Sequence, residues 1–155
     1  AQKLQEELNK AYEMPPEEAK GQTASGLESY AGKHILVVED IPMNVTLIKK
    51  ILTKFHCEID VAKDGLAALK MFQKNRYDLV FMDCQMPILD GFEATKQIRG
   101  IEKEEARGET PIVALTADAM IGDREKCIKV GMNDYLNKPI KTQDIREMLA
   151  KHLGE

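Results

Sequence analysis

Four short segments of the 155-residue chain carry residue types that could do chemistry together. Glu39-Asp40, Asp83, Thr116 and Lys138-Pro139 each stand at or just past the end of a short apolar run. If those runs are parallel strands of one open sheet, their carboxyl ends share an edge, and that edge is where such sheets bind ligands. Three carboxylates gathered there would repel one another strongly unless a cation joined them. One divalent ion together with the Lys138 ammonium would bring the group to neutrality. Oxygen ligands without clustered His or Cys favour a hard octahedral cation, Mg²⁺ or Mn²⁺, over zinc. A phosphoryl group needs its equatorial oxygens stabilised, and the metal, the Lys138 ammonium and the Thr116 hydroxyl would supply one partner each. Asp83 would then be the nucleophile and an aspartyl phosphate the product.

The hydrophobic pattern defines the elements that must position these residues. From His34 onward, short apolar runs alternate with longer amphipathic segments. Ile35 to Val38 reads as the first strand, and Pro42 opens a helix with Val45, Ile48, Leu52 and Phe55 on one face. Cys57 to Ala62 reads as the second strand, followed by a helix from Gly65 to Lys74 that should bury Leu66, Leu69 and Phe72. The third strand, Asp78 to Met82, is nearly all apolar, as a central parallel strand covered on both faces would be. A loop containing Pro87 and Gly91 leads into a helix from Phe92 to Ile101. The run Ile101 to Glu109, IEKEEARGE, reads as a solvated charged loop. The strand Pro111 to Leu115, a helix from Met120 to Val130 closed by Gly131, the short strand Asp134 to Leu136 and a helix from Thr142 to His152 complete the pattern. Five βα units are too few for an eight-unit barrel. The expected fold is therefore α/β: a flavodoxin-like doubly wound (βα)5 with a five-stranded parallel sheet in the order 2-1-3-4-5.

Composition narrows the function. Lys plus Arg is 22 against 26 Asp plus Glu, a formal charge of -4, which lacks the basic excess of a nucleic-acid-binding domain. Cys57, Cys84 and Cys127 are odd in number and widely spaced, so they suit neither a disulfide framework nor a CxxC metal site, and read as buried thiols of a reducing compartment. No apolar run is long enough to span a bilayer, and the first ten residues, AQKLQEELNK, lack the apolar core of a signal peptide. A cytoplasmic segment without membrane contact is the expectation, leaving open a membrane-anchored parent. Ala1 in place of Met points to a processed chain or a piece of a longer one. Residues 1–33 should form a short helix, Gln2 to Tyr12, and a Pro- and Gly-containing flexible linker, with the domain proper from 34 to 155.

The segments HILVVEDIPMN, DLVFMDCQMPILDGFEATKQIR, PIVALTADA and GMNDYLNKPI resemble the response-regulator receiver domain over about residues 33 to 153. Within that family the chain most resembles receivers of hybrid sensor histidine kinases, through its ED-x-x-x-N and MDCQMP-x-x-DGFEAT runs. The resemblance implies a phosphorelay module in which Asp83 takes a phosphoryl group from a phosphohistidine. Asp40 and Asp83 would ligate Mg²⁺ directly, Glu39 mostly through water, and the backbone carbonyl of Gln85 would complete the protein's share. Lys138 would pair with the phosphoryl oxygens, and its bond to Pro139 would be cis. Thr116 and Tyr135 match the family's switch pair, so the face made by the fourth helix, fifth strand and fifth helix would be the readout surface. Gln85 and Asp118 hold the positions that tune the lifetime of the aspartyl phosphate. Implied partners are a histidine kinase's dimerisation and phosphohistidine domain and a histidine phosphotransfer protein or domain. With the chain stopping at Glu155, signal should pass to another protein or domain.

Each residue also has a plainer reading. Glu39-Asp40 could merely cap the helix at Pro42, Thr116 could cap the next one, Lys138 could be a solvated lysine and Tyr135 ordinary core. Met86, Pro87, Asp90 and Gly91 read as loop scaffold, Gly91 by permitting a backbone conformation closed to other residues. Cys84 should be turned away from Asp83 by strand alternation, and His34, His56 and His152 lie away from the strand ends. Rival functions are a stand-alone single-domain regulator and a haloacid-dehalogenase-type aspartyl-phosphate phosphatase or phosphotransferase. The latter needs a second carboxylate two residues after the nucleophile, where Gln85 stands. A flavin- or nucleotide-binding domain would need a Gly-rich loop where Glu39-Asp40 stand. A pseudo-receiver would not need the set Asp83, Thr116 and Lys138. The segment would catalyse only its own phosphorylation and dephosphorylation, whereas a hybrid parent would be a protein histidine kinase.

Overall fold

The computed structural model describes residues 29–86, 88–117 and 121–153. The expected helix from Gln2 to Tyr12, nearly all of the linker, Pro87 and Asp118 lie outside the described residues. All the elements below belong to the compact unit Ala31–Glu155.

Five strands, His34–Val38 (β1), Glu58–Ala62 (β2), Leu79–Asp83 (β3), Ile112–Thr116 (β4) and Asp134–Asn137 (β5), pair in parallel in the order β2-β1-β3-β4-β5. Every residue of β3 and β4 is buried, as expected for parallel strands covered on both faces. Helices Pro42–Lys54 (α1), Gly65–Lys74 (α2), Gly91–Glu104 (α3), Ile121–Val130 (α4) and Thr142–Leu153 (α5) connect and flank them. α1 touches α5, while α2 touches α3 and α3 touches α4, so the helices divide between the two faces. The face covered by α2 and α3 packs Leu36, Val38, Val80, Met82, Ile112 and Ala114 against Ala68, Phe72, Ala94 and Ile98. Alternation sends Ile35, Val37, Leu79, Phe81, Val113 and Leu115, all fully buried, to the other side.

Local sequence explains where the helices start. Pro42 occupies the first turn of α1, where its missing N–H costs nothing. Asp64 caps α2 by accepting from Ala67 N at 2.8 Å, and Asp90 caps α3 by accepting from Glu93 N at 2.8 Å. Gly131, at φ 105°, closes α4.

Three sequence expectations need correction. Leu66 is 46% exposed, and α2 buries Ala68 together with Leu69 and Phe72. Cys57 is only half-buried, unlike Cys84 and Cys127. The run Ile101 to Glu109 is neither all loop nor all solvated: α3 continues to Glu104, and Glu102 is 5% exposed. Glu102 accepts from Arg99 Nη1 at 2.9 Å and from Thr110 N at 2.7 Å, while Arg99 also donates to Gly131 O and Asn133 Oδ1. One arginine thereby ties α3 to the segments that enter β4 and β5. Arg107 lies over the Phe72 ring at 4.9 Å and donates to Phe72 O and Gln73 O, so it closes the carboxyl end of α2. Glu102→Ala should lower unfolding stability by about 2 kcal/mol, because charge-assisted bonds at a buried site are lost and Thr110 N is stranded. Urea denaturation checks this, and a change below the error of the fit would contradict it.

Candidate functional site

The sheet register brings the polar strand ends to one edge. Asp83, the last residue of β3, pairs with Leu115, one position before Thr116 at the end of β4. Thr116 in turn pairs with Asn137, next to Lys138. Backbone bonds fix the residues past the strands: Glu39 N donates to Ala62 O at 3.0 Å, Cys84 N to Leu115 O at 3.0 Å and Lys138 N to Thr116 O at 2.8 Å. The Lys138–Pro139 peptide is cis.

Carboxylate oxygens of Glu39, Asp40 and Asp83 lie within 4.8 Å of one another. Glu39 and Asp83 are almost wholly buried. Lys138 Nζ sits 3.2 Å from Glu39 Oε1 and 3.2 Å from Asp83 Oδ1. Gln85 N donates to Asp83 Oδ1 at 3.1 Å, and Ile41 N to Glu39 Oε2 at 3.2 Å. With the three carboxylates ionised, Asp40 Oδ1 and Asp83 Oδ2 are buried without a hydrogen-bond partner. Buried carboxylate oxygens are expensive to leave unpaired, so this edge fits a cation that all three carboxylates can reach. Asp40 is not spent as a cap: the N-cap of α1 is Ile41, with no side-chain cap bond.

The electrostatics follow from crowding. Burial raises the Glu39 pKa to about 7, helped by a shared hydrogen bond with Asp83 and by the Asp83 charge, against the pull of Ile41 N–H and Lys138. Burial disfavours the Lys138 ammonium, but the charges of Asp83 and Glu39 outweigh it and lift its pKa.

Other expected residues fall as follows. Tyr135 is half-buried on β5 and pairs with Ala114. Gly91 is required for a different reason than expected: an added Cβ would lie 2.2 Å from Asp83 O, so close approach, not backbone conformation, excludes a side chain. Among the described residues of that loop the left-handed one is Ile88, at φ 71° and 79% exposed. Cys84 packs in the core, as alternation requires. None of the histidines joins the strand-end cluster: His34 pairs with Asp60 at 2.9 Å, His152 lies 3.5 Å from Asp134, and His56 is exposed. Sequence reasoning missed the two backbone donors, Ile41 N–H and Gln85 N–H, which orient the acidic oxygens. Their positions, two residues after Glu39 and two after Asp83, are the only signal that could have found them.

A parallel five-stranded sheet of this order, with three carboxylates and a lysine at the carboxyl edge, defines a flavodoxin-like domain with an acidic cation site. The chain belongs to the response regulator receiver domain family, whose model matches residues 35–150. It is 45% identical to hybrid signal transduction histidine kinase B of Dictyostelium discoideum over 85% of this chain and 7% of that protein. It is 36% identical to the sensor protein GacS of Pseudomonas syringae pv. syringae over 98% of this chain and 16% of that protein. The chain thus spans a small fraction of these relatives' length. Among solved structures it is similar to the receiver domain of a Pseudomonas aeruginosa sensor histidine kinase with a magnesium ion coordinated in its active site cleft. That match has a TM-score of 0.72 at 42% identity, covering 81% of this chain and 100% of the other. The co-crystal of the Saccharomyces cerevisiae histidine phosphotransfer signaling protein Ypd1 with the receiver domain of its downstream response regulator also matches. There the TM-score is 0.75 at 33% identity, covering 77% and 88%. No helix among the described residues is long and apolar enough to cross a membrane.

Proposed function

We propose that this chain is the phosphoacceptor module of a phosphorelay, with Asp83 as the acceptor, working in the cytoplasm as part of a hybrid sensor histidine kinase. The observation that carries the reading is the ion pair of Lys138 with both Glu39 and Asp83, beside Asp40 Oδ1 and Asp83 Oδ2, which are buried without a hydrogen-bond partner when the three carboxylates are ionised. Asp40, Asp83, Glu39 and the Gln85 carbonyl would hold Mg²⁺, or Mn²⁺ in its place. When bound, the ion would neutralise charge developing on the transferring group.

The protein's own residues do the rest. Asp83 Oδ1 is held by Gln85 N–H and the Lys138 ammonium, which fixes the orientation of the carboxylate before a donor arrives. A carboxylate oxygen forms the new P–O bond as the donor's P–N bond breaks, and the leaving imidazole nitrogen keeps the electron pair and takes up a proton. Lys138 follows the charge onto the phosphoryl oxygens. The Thr116 hydroxyl, at the same edge, supplies a further donor; drawn inward, it would clear space for Tyr135 to turn, changing the α4–β5–α5 face. Gln85 and Asp118 would set how readily water reaches the product. A phosphohistidine domain of a kinase would supply the phosphoryl group, and a histidine phosphotransfer protein would take it onward.

The reading is tested by mixing the chain with a histidine phosphotransfer protein carrying labelled phosphate. Label should appear on the chain, be released by hydroxylamine and depend on Mg²⁺. Acid-stable, alkali-resistant label would contradict an aspartyl phosphate.

The raised Glu39 pKa also makes metal binding proton-linked. Below pH 7 the metal-free site keeps a proton on Glu39, which an incoming cation must displace. Mg²⁺ affinity should therefore rise from pH 6 to pH 8, by up to about tenfold per pH unit below 7 and little above it. Calorimetry in buffers of different ionisation enthalpy should show proton release at pH 6 and almost none at pH 8. Equal affinity at both values would contradict the linkage.

A further inference from the structure

The described part of α4 is tied to its neighbours by two cation–aromatic contacts. α1, α2, α3 and α5 each bury at least three side chains. Of the described α4 side chains, residues 124–130, Cys127 alone is buried. Two exposed cations that flank Cys127 on either side of the helix reach aromatic rings. The Arg124 guanidinium carbon lies 5.1 Å from the centre of the Tyr135 ring, and Lys126 Nζ lies 4.4 Å from the centre of the Phe92 ring. Lys126 thus pins α4 to α3, and Arg124 pins it to β5.

The two contacts differ in what they hold. Phe92 lies in the first turn of α3, against the core cluster. Tyr135 lies on the edge strand, packed against the same cluster on one side and covered by Arg124 on another. A guanidinium over an aromatic face is attracted by the ring's quadrupole and loses that attraction when the ring turns away. We infer that Arg124 is a positioning residue that latches Tyr135: its contact holds the ring in the orientation seen here, and loading of the Asp83 site must break it before the ring can turn. This rests on the reading of Thr116 and Tyr135 as a moving pair. By linkage, whatever favours the unloaded orientation weakens a ligand that needs the other one, so removing the latch should tighten binding at Asp83 without any new contact there. A cation–π contact at an exposed site corresponds to a factor of about two to five.

The test is fluorine NMR on the chain labelled with 3-fluorotyrosine, titrated with beryllofluoride in saturating Mg²⁺. The Tyr135 signal is assigned by its loss in Tyr135→Phe, and binding is followed separately on the Gln85 amide. Arg124→Gln should lower the beryllofluoride midpoint about two- to five-fold and move the unliganded Tyr135 signal toward its bound position. Lys126→Gln, which also strips a cation from α4, should leave both unchanged. An unchanged or higher midpoint in Arg124→Gln overturns the latch, as does an equal shift in Lys126→Gln, which would make the effect a general loosening of α4. A wild-type Tyr135 signal that stays still while the Gln85 amide reports full binding overturns the switch reading and the latch with it.

Discussion

Replacing Asp83 with Asn should abolish phosphoryl uptake while leaving the fold in place. Asp83 closes β3 and is 2% exposed, so its shape matters to packing, and Asn keeps that shape. The amide oxygen can still accept from Gln85 N, the bond that orients the side chain. What disappears is the anionic nucleophile, together with one of three carboxylates whose charges oppose one another in a buried site. Stability in urea should therefore change by less than about 1 kcal/mol, or rise, since a like-charge contact with Glu39 is removed and Lys138, losing its pair with Asp83, keeps Glu39 as its partner. The rate of labelling should fall by at least about 10³-fold, the scale at which loss of a nucleophile leaves only residual catalysis. Labelling that survives in the folded variant would move the acceptor elsewhere, and unfolding of the variant would contradict the packing argument.

Lys138→Ala separates charge balance from transfer. Its ammonium lies 3.2 Å from carboxylate oxygens of both Glu39 and Asp83, so it occupies part of the field that a divalent cation would share. Removing it takes away a competing positive charge, and Mg²⁺ affinity should hold or increase. The transferring phosphoryl group loses a fixed partner, which should slow uptake by about 10² to 10³-fold. The Lys138 N–H bond to Thr116 O is a backbone bond and stays, so the edge of β5 should keep its place. Phosphorylation that does occur should no longer move Tyr135. Weaker Mg²⁺ binding in the variant would contradict the charge argument.

β1, β3 and β4 were legible in the sequence as short apolar runs, because a parallel strand buried on both faces needs no alternation to be recognised, while the edge strands β2 and β5 carry only part of that pattern, with Glu58 and Asp60 in one and Asp134 and Asn137 in the other. Their ends shifted by a single residue or so, which matters little except at Asp83, the final residue of β3 rather than the first beyond it. The strand-end cluster followed from topology alone: parallel strands deliver Glu39, Asp40, Asp83, Thr116 and Lys138 to one edge whatever their separation along the chain. Harder to see was anything decided by a partner far away. Glu102 looks like one more charge in IEKEEARGE, and only Arg99, Thr110 and the approach of β4 make it a buried hub. Leu66 has the spacing of a buried residue but sits at the start of α2, where the face turns to solvent and Ala68 fills the interior. Gly91 was expected for its backbone freedom, yet the constraint is the Asp83 carbonyl pressed against it, a contact no local pattern encodes. The exposed Ile88 at φ 71° is equally invisible, since a β-branched residue is the last choice for a left-handed turn.

The central claim is that Asp83 accepts a phosphoryl group in a reaction that needs a divalent cation. The most direct measurement is the intact mass of the chain after incubation with acetyl phosphate, with and without Mg²⁺, for wild type and Asp83→Asn. One added phosphoryl group is expected on wild type with Mg²⁺ and in none of the other three samples. An adduct that forms without the metal, or that persists in Asp83→Asn, would contradict it.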